Sequence, residues 1–450
     1  MQFLRTPILA MVVGCAPWAV MAQQAAPAVL QGHAVLPAAS FVAPPADAPA
    51  DLTVSGKYTS GIRVEAPGSV MGLSADRATG IALPVKGQIR QGHSGVKVMP
   101  DGTVWVLTDN GFGSKANSMD AMLYLNRYRI DWQAGTLAPQ DTMFLHDPDR
   151  KIPFRIVHED TAERYLTGSD LDTESFQPIG EHFWIGDEFG PYLVKTDRTG
   201  KVLALFETQV DGRTVRSPDH YAVATPGAPG QTYQGVTLKR SKGFEGMAAS
   251  KDGKFLYPLL EGPLWDEKAK AWEQADGKTV LRILEFSVAD EHWTGRSWRY
   301  PLEGADHAIG DFNMIDATTG LVIERDNGEG TPDKACEKGA DTKTCFSNPP
   351  RFKRVYKIEF SDANAGQAVR KPAYVDLLAI QDPDKKARKP LTDGVLQFPF
   401  FTIENVDVVD AEHIIVGNDN NFPFSSSREP NRQDDNEFVL LHTPELLRSR

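Results

Sequence analysis

The chain has 450 residues, 41% hydrophobic and 24% charged, and a formal net charge of −12. This is an ordinary globular composition, long enough for one large β domain or two to three smaller ones. The acidic balance argues against nucleic acid as a partner, because phosphate binding needs a basic face that releases counterions.

The first residues, MQFLRTPILAMVVGCAPWAVMAQQ, carry one basic residue (Arg5), an apolar run and a small-residue site at Val20-Met21-Ala22. They read as a secretory signal, residues 1–22, cleaved after Ala22. A lipoprotein box with Cys15 as the lipidated residue is the alternative. It is the weaker one, because the apolar run continues to Val20. The Ala- and Pro-rich stretch 23–50 is expected to be a disordered leader. Nothing beyond the signal is long and apolar enough to span a bilayer. Cleavage leaves Cys336 and Cys345 as the only cysteines, nine apart in a polar loop. In an exported chain they are expected to form a disulfide.

From Leu52 onward short β runs alternate with Gly, Asp, Asn and Pro, and no long helical period appears. Five segments share one layout, in which a small or acidic landmark leads into a strand, a turn and an apolar strand ending in an acid. They are Ser94-Gly95-Val96 to Asp109, Asp172 and Glu174 to Asp187, Glu245-Gly246-Met247 to Glu261, Asp311-Phe312-Asn313 to Glu324, and Glu404-Asn405-Val406 to Asp419. Hairpins recurring at a long, uneven period predict an all-β fold, a β-propeller with decorated loops, residues 51–450 forming one domain. Six blades of about 65 residues are expected. The sixth would pair 55–64 with Glu437–His442 and close the ring. The longest insertions are 211–235, 263–278 (with a short helix expected), 326–350 and 381–394.

The combination of GHSGVKVMPDGTVWVLTDNG (92–111), SDLDTESF (169–176), FWIGDEFGPY (183–192), GFEGMA (243–248), IENVDVV (403–409) and GNDNNFPFS (417–425) resembles the family named for the esterase-like activity of phytase. The resemblance covers about Gly56 to Pro444. It implies a β-propeller, export, and metal-dependent hydrolysis of phosphoric or carboxylic esters. A small-molecule ester or phosphoester is then the expected partner of a monomer.

The innermost strand of each propeller blade faces a central channel, so acids arriving there converge. The candidates are Glu174, Asp187, Glu188, Glu245, Glu261, Glu324, Glu404 and Asp419. Crowded carboxylates raise one another's pKa unless a cation intervenes. All but Glu324 form the expected metal-ligand set, and oxygen donors of this kind suit Ca²⁺ or Mg²⁺, with Ca²⁺ preferred. Asx turns at the Asp-Asn-Gly stretches are the structural alternative. For hydrolysis the expected catalytic residues are Glu245 and Glu174, with Arg325 and Arg428 neutralising the substrate's charge. Arg127, Arg129 and Lys242 are further cations beside the motifs. A nucleophilic serine is disfavoured: Gly92-His93-Ser94-Gly95 is no GxSxG elbow, and adjacent strand residues such as His93 and Ser94 face opposite ways. An alternative reading is a noncatalytic propeller that a metal stabilises.

Overall fold

The computed structural model describes residues 23–450, and the expected signal with Cys15 lies outside them. Five antiparallel units of four main strands stand around one axis, the first and the last of them joined into one larger sheet by a parallel contact between Val35 and Thr136. Blade I is His93–Val98, Thr103–Thr108, Tyr124–Asp131 and Thr136–Phe144. Blade II is Thr173–Ile179, His182–Asp187, Tyr192–Asp197 and Val202–Glu207. Blade III is Phe244–Ala249, Phe255–Leu260, Lys278–Ser287 and His292–Pro301. Blade IV is Ala308–Met314, Thr319–Arg325, Lys353–Glu359 and Arg370–Asp376. Blade V is Ile403–Val408, His413–Asn418, Asn436–His442 and, from the other end of the chain, Val29–Leu36.

The first strand of each blade packs beside the first strand of the next, from I through V and back to I. The molecule is a β-propeller with five blades, not the six expected. The partner of the last strand is Val29–Leu36 in blade V and not 55–64, so no sixth blade is needed to close the ring.

The 23–50 stretch is therefore not a disordered leader. In VLQGHAVL, Leu30, Ala34 and Leu36 are buried against blade V, and the His33 ring meets Glu437 at 3.0 Å. Gln24–Ala26 runs parallel to Arg370–Asp376 as an extra outer strand of blade IV. Flanking Ala and Pro dilute the apolar alternation of this short strand, which hides it in a compositional reading.

Each pair of neighbouring blades encloses its own apolar layer. Leu107, Leu125, Phe176 and Ile185 lie between I and II, Trp184, Met247 and Phe286 between II and III, and Ile283, Phe312 and Tyr356 between III and IV. Leu321, Val355, Val406 and Val439 lie between IV and V, and Val96, Tyr128 and Phe438 between V and I. The motif aromatics Phe112, Trp184, Phe189, Tyr192, Phe244 and Phe422 are buried, as core residues should be.

Insertions decorate the ring. Residues 37–92 form short ribbons whose Leu83 and Ile89 pack on Phe112, Ala121 and Phe422, in the loops of blades I and V. The expected helix within 263–278 is instead a ribbon, Trp265–Asp266 against Ala271–Trp272. Asp266 accepts the N–H groups of Lys268 and Ala269, so the turn forms locally and the two indoles pack edge to face across it. Cys336 and Cys345 are disulfide-bonded. Among the described residues no helix is long and apolar enough to cross a membrane.

Candidate functional site

Every innermost strand carries the same irregularity near its start. Its ladder with the second strand gains one residue, at Ser94-Gly95, Glu174, Glu245, Gly310-Asp311 and Glu404. A bulge re-aims the extra side chain. Five equivalent positions, Ser94, Glu174, Glu245, Gly310 and Glu404, thus form a ring at one end of the channel. The fourth is glycine for a steric reason: a Cβ on Gly310 would lie 2.2 Å from the carbonyl oxygen of Ile403 in the next blade.

The second strands supply a second ring. The residues opposite the start of each bulge are Thr108, Asp187, Leu260, Glu324 and Asn418. The next residues along are Asp109, Glu188, Glu261, Arg325 and Asp419. These, by register, are equivalent. The sequence reading aligned Asp187 and Glu324 with them, one position early, and a slip of one residue turns a strand side chain to the opposite face.

The consequences are visible in the partners of those two acids. Glu324 is fully buried away from the channel, held by Lys371 Nζ at 2.7 Å, Tyr300 Oη at 2.8 Å and the His307 ring at 2.8 Å. Asp187 accepts the N–H of Asp172 at 2.8 Å and of Gly190 at 2.7 Å. It fastens the loop carrying Asp172 to the end of the strand carrying Glu188, and it lies outside the groups a cation could bridge. Asp419 and Asp109 likewise spend one oxygen each on a turn, accepting from Asn421 and Gly111 at 2.7 Å. Gly92 is required beside Asp109: its φ is +58°, and a Cβ there would lie 2.1 Å from the carboxylate.

Six acids converge. Ligand oxygens lie within 4.8 Å of one another in three overlapping groups: Asp172, Glu174 and Glu188; Glu174, Glu245 and Glu404; Glu188, Glu245 and Glu261. None of the six is more than 9% exposed. Oδ1 of Asp172 and Oε1 of Glu188 and of Glu245 are buried without a hydrogen-bond partner. Burial, then the charges of Asp172, Glu245 and Glu404, pushes the Glu174 carboxyl well above its ordinary range. Burial does the same to Glu245, reinforced by Glu404, Glu261 and Glu188, and to Glu188, reinforced by Glu261. Burial, with the charge of Asp172, raises Asp109 to about 7.

Two cations enter this centre. Arg325 Nη2 donates to Glu404 Oε1 at 3.2 Å, and its buried Nε has no partner. Lys242 forms an ion pair with Glu261 and is 39% exposed at its side chain. Burial alone would depress the Lys242 ammonium, but Glu261 and Glu188 outweigh it and raise its pKa. Ser94 Oγ donates to Glu404 Oε2 at 3.1 Å.

His93 points the other way, into the core beside Tyr128 and Phe438, and burial holds it down to about 3. Arg428, expected to face the substrate, is absent from the centre. It donates from Nη2 and Nε to Glu437 at 2.6 and 3.1 Å and from Nη1 to the Gln397 carbonyl at 3.1 Å, all inside blade V's surroundings. Arg127 pairs with Asp101 at an outer turn of blade I.

Below the acids the channel is filled. Lys97 Nζ reaches Asn313 at 2.8 Å and Asp407 at 3.3 Å, and Gln177 donates to Asn313 at 2.9 Å. Asp311 accepts the N–H groups of Val96 and Val406 at 3.2 and 3.1 Å, tying three blades together.

The one ligand candidate left out of the expected metal set is Asp172. It precedes its strand, and only its spacing of two from Glu174 in SDLDTESF marked it.

A family model described as "Phytase-like: Esterase-like activity of phytase" matches residues 88–422. An uncharacterized secreted protein of Arthroderma benhamiae is 29% identical over 119 residues, 24% of this chain and 22% of that protein. The match therefore spans about a fifth of that relative's length. Among solved structures, a luciferin-regenerating enzyme aligns over 79% of this chain and 78% of its own at 10% identity and a TM-score of 0.34. The periplasmic gluconolactonase of Pseudomonas aeruginosa aligns over 86% and 98% at 13% identity and a TM-score of 0.30.

Proposed function

Because the chain belongs to the phytase-like family described by the esterase-like activity of phytase, we propose that it is an exported hydrolase of phosphoric or carboxylic esters. Its acidic centre would hold a divalent cation, Ca²⁺ by preference. The observation that carries this reading is the convergence of Asp172, Glu174, Glu188, Glu245 and Glu404, with one buried oxygen each on Asp172, Glu188 and Glu245 left without a hydrogen-bond partner. Like charges in a low-dielectric site are costly without a counter-ion, and the donors are all oxygen, which fits a hard cation. The disulfide and the secreted relative support export.

A bound cation would supply Lewis acidity toward the phosphoryl or carbonyl oxygen of the ester. The chain's own residues do the rest. Arg325, with a free Nε and a guanidinium fixed by Glu404, is placed to hold an ester oxygen as it gains charge. Lys242, half-exposed beside Glu261, offers positive charge to an incoming anionic substrate. Burial of the glutamates keeps bulk water from screening these interactions.

That same burial favours a second reading, in which the cation only ties the blades together. Glu245 is 5% exposed and Glu404 is 7%. The test is to strip the protein with chelator, verify its fold by circular dichroism, and assay p-nitrophenyl phosphate, bis-p-nitrophenyl phosphate, p-nitrophenyl esters and phytate with and without added Ca²⁺. Hydrolysis that disappears on stripping, returns with Ca²⁺ and is abolished by Glu245→Gln is the expected result. No turnover of any of these by the Ca²⁺-loaded protein would overturn the hydrolase and leave the structural ion.

A further inference from the structure

The three groups of ligand oxygens are not independent. Any two of them share one glutamate: Glu174 joins the first to the second, Glu188 the first to the third, and Glu245 the second to the third. A single cation can satisfy one group, so the geometry raises the question of how many it takes.

Charge decides between one, two and three. The groups contain six carboxylates in all. Two protein cations are bonded to them, Lys242 to Glu261 in the third group and Arg325 to Glu404 in the second. Six negative charges against these two positive ones leave four, which is the charge of two divalent ions. With all six ionised around metal, one ion would leave two of these carboxylates uncompensated and three would overshoot; Asp109 and Asp419 lie outside the groups, each spending an oxygen on a turn N–H.

The distribution of partners says where the two belong. Among the described residues, no Lys or Arg is bonded to any member of the first group. Lys115, the cation on that side, lies 4.6 Å from the centre of the Phe189 ring and donates to the Asp219 carbonyl. Two of the group's three residues present an unpartnered buried oxygen, Asp172 Oδ1 and Glu188 Oε1. In the second group Arg325 offsets one of three charges, and Glu245 Oε1 is unpartnered. In the third, Glu188 Oε1 and Glu245 Oε1 are likewise unpartnered, but the Lys242 ammonium bonds Glu261 and is held charged by Glu188 and Glu245 as well, so a charged nitrogen serves all three members where an ion would otherwise be needed.

We propose that the centre takes two divalent cations, one held by Asp172, Glu174 and Glu188 and the other by Glu174, Glu245 and Glu404, with the Glu174 carboxylate bridging them. Lys242 substitutes for a third. The inference rests on the reading of the centre as a cation site and adds its stoichiometry and its bridging ligand. Paired cations sharing a carboxylate would stabilise both the attacking oxygen of the nucleophile and the leaving oxygen in displacement at phosphorus. This favours the phosphoric over the carboxylic ester as substrate class.

The experiment uses the full chain stripped of metal, with Ca²⁺ and Mn²⁺ as probes. Bound metal is counted by equilibrium dialysis with elemental analysis, and the Mn²⁺-loaded protein is examined by electron paramagnetic resonance. The unmodified protein is expected to bind two ions per chain and to give the spectrum of a spin-coupled Mn²⁺ pair. Asp172→Asn should abolish one site and Glu404→Gln the other, each leaving one ion and the spectrum of isolated Mn²⁺. Glu174→Gln should weaken both sites at least tenfold. One ion bound by the unmodified protein would overturn the pair while leaving the proposed function in place. No ion bound would overturn both. Three ions would overturn the substitution by Lys242, and two ions retained by both single variants would overturn the ligand assignment. The count on the unmodified chain decides even if a variant fails to fold.

Discussion

Replacing one shared glutamate should change stability in opposite directions with and without metal. Glu245 belongs to two of the three groups, so its carboxylate faces four others with ligand oxygens within 4.8 Å. At that separation each ionised pair repels by about 3 kcal/mol at an effective dielectric of about 20. Because burial and mutual charge favour protonation of these groups, only part of the repulsion is present in the metal-free protein at pH 7. Glu245→Gln keeps the shape, removes one charge and should therefore stabilise the stripped protein by about 1–2 kcal/mol. In saturating Ca²⁺ the comparison reverses. A ligand at a hundredfold its dissociation constant adds about 2.7 kcal/mol to the unmodified protein, most of which the variant forfeits with its ligand oxygen. Differential scanning calorimetry in chelator and in Ca²⁺ reads both signs, at about 1 °C per kcal/mol for a chain of this length. A variant destabilised equally in the two buffers would refute the reasoning, because it would mean that Glu245 is held by protein donors and not by a cation.

Arg428→Leu should cost about 3–5 kcal/mol in chemical denaturation, since it leaves Glu437 buried beside a lost partner, while Ca²⁺ binding is unchanged. A loss of binding with stability intact would restore Arg428 to the centre. The same cluster gives a pH dependence. Burial alone would raise the Glu437 carboxyl, but Arg428, His33 and Lys389 hold it far below the ordinary value of about 4.3. A depressed folded-state pKa contributes stability that is present above the unfolded value and lost as pH falls below it. Unfolding free energy of the unmodified protein should therefore fall between about pH 5 and pH 2, and less steeply in Arg428→Leu. Parallel slopes would sink the assignment. Finally, Glu188→Gln should remove bound cation and Glu324→Gln should not, the latter lowering only the melting temperature; equal effects on binding would contradict the register deduced for blades II and IV.

The ring was legible from the sequence because a hairpin ending in an acid is a local pattern, and five copies of it survive between variable insertions. Glu174, Glu245 and Glu404 stand out together for that reason: each is the second residue of an inner strand and each is the bulged residue. The outer end of the hairpin was harder. The bulge changes the count between landmark and acid by one, and Asp187 beside Glu188 and Glu324 beside Arg325 each offered a plausible acid one position early. Only the paired strand shows which of two neighbours faces the channel. Arg428 misled because its loop follows the Asp419 turn, whereas its partners Glu437 and His33 come from both ends of the chain. The count of six came from dividing length by an assumed blade size. Residues 37–92 belong to no blade, and their short ribbons absorb the length given to the sixth.

Blades I to IV draw their four main strands from contiguous sequence, and blade V does not. Its outer strand, Val29–Leu36, is among the first parts of the described chain to be made, while its partner, Asn436–His442, is nearly the last. Pairing across so long a separation carries a large loop-closure cost and is slow. Blade V is therefore expected to complete after blades I to IV. Glu404 lies on the inner strand of that blade, Ile403–Val408, whose partner His413–Asn418 is local in sequence, so the late closure by Val29–Leu36 seals the ring behind the acids instead of bringing them together.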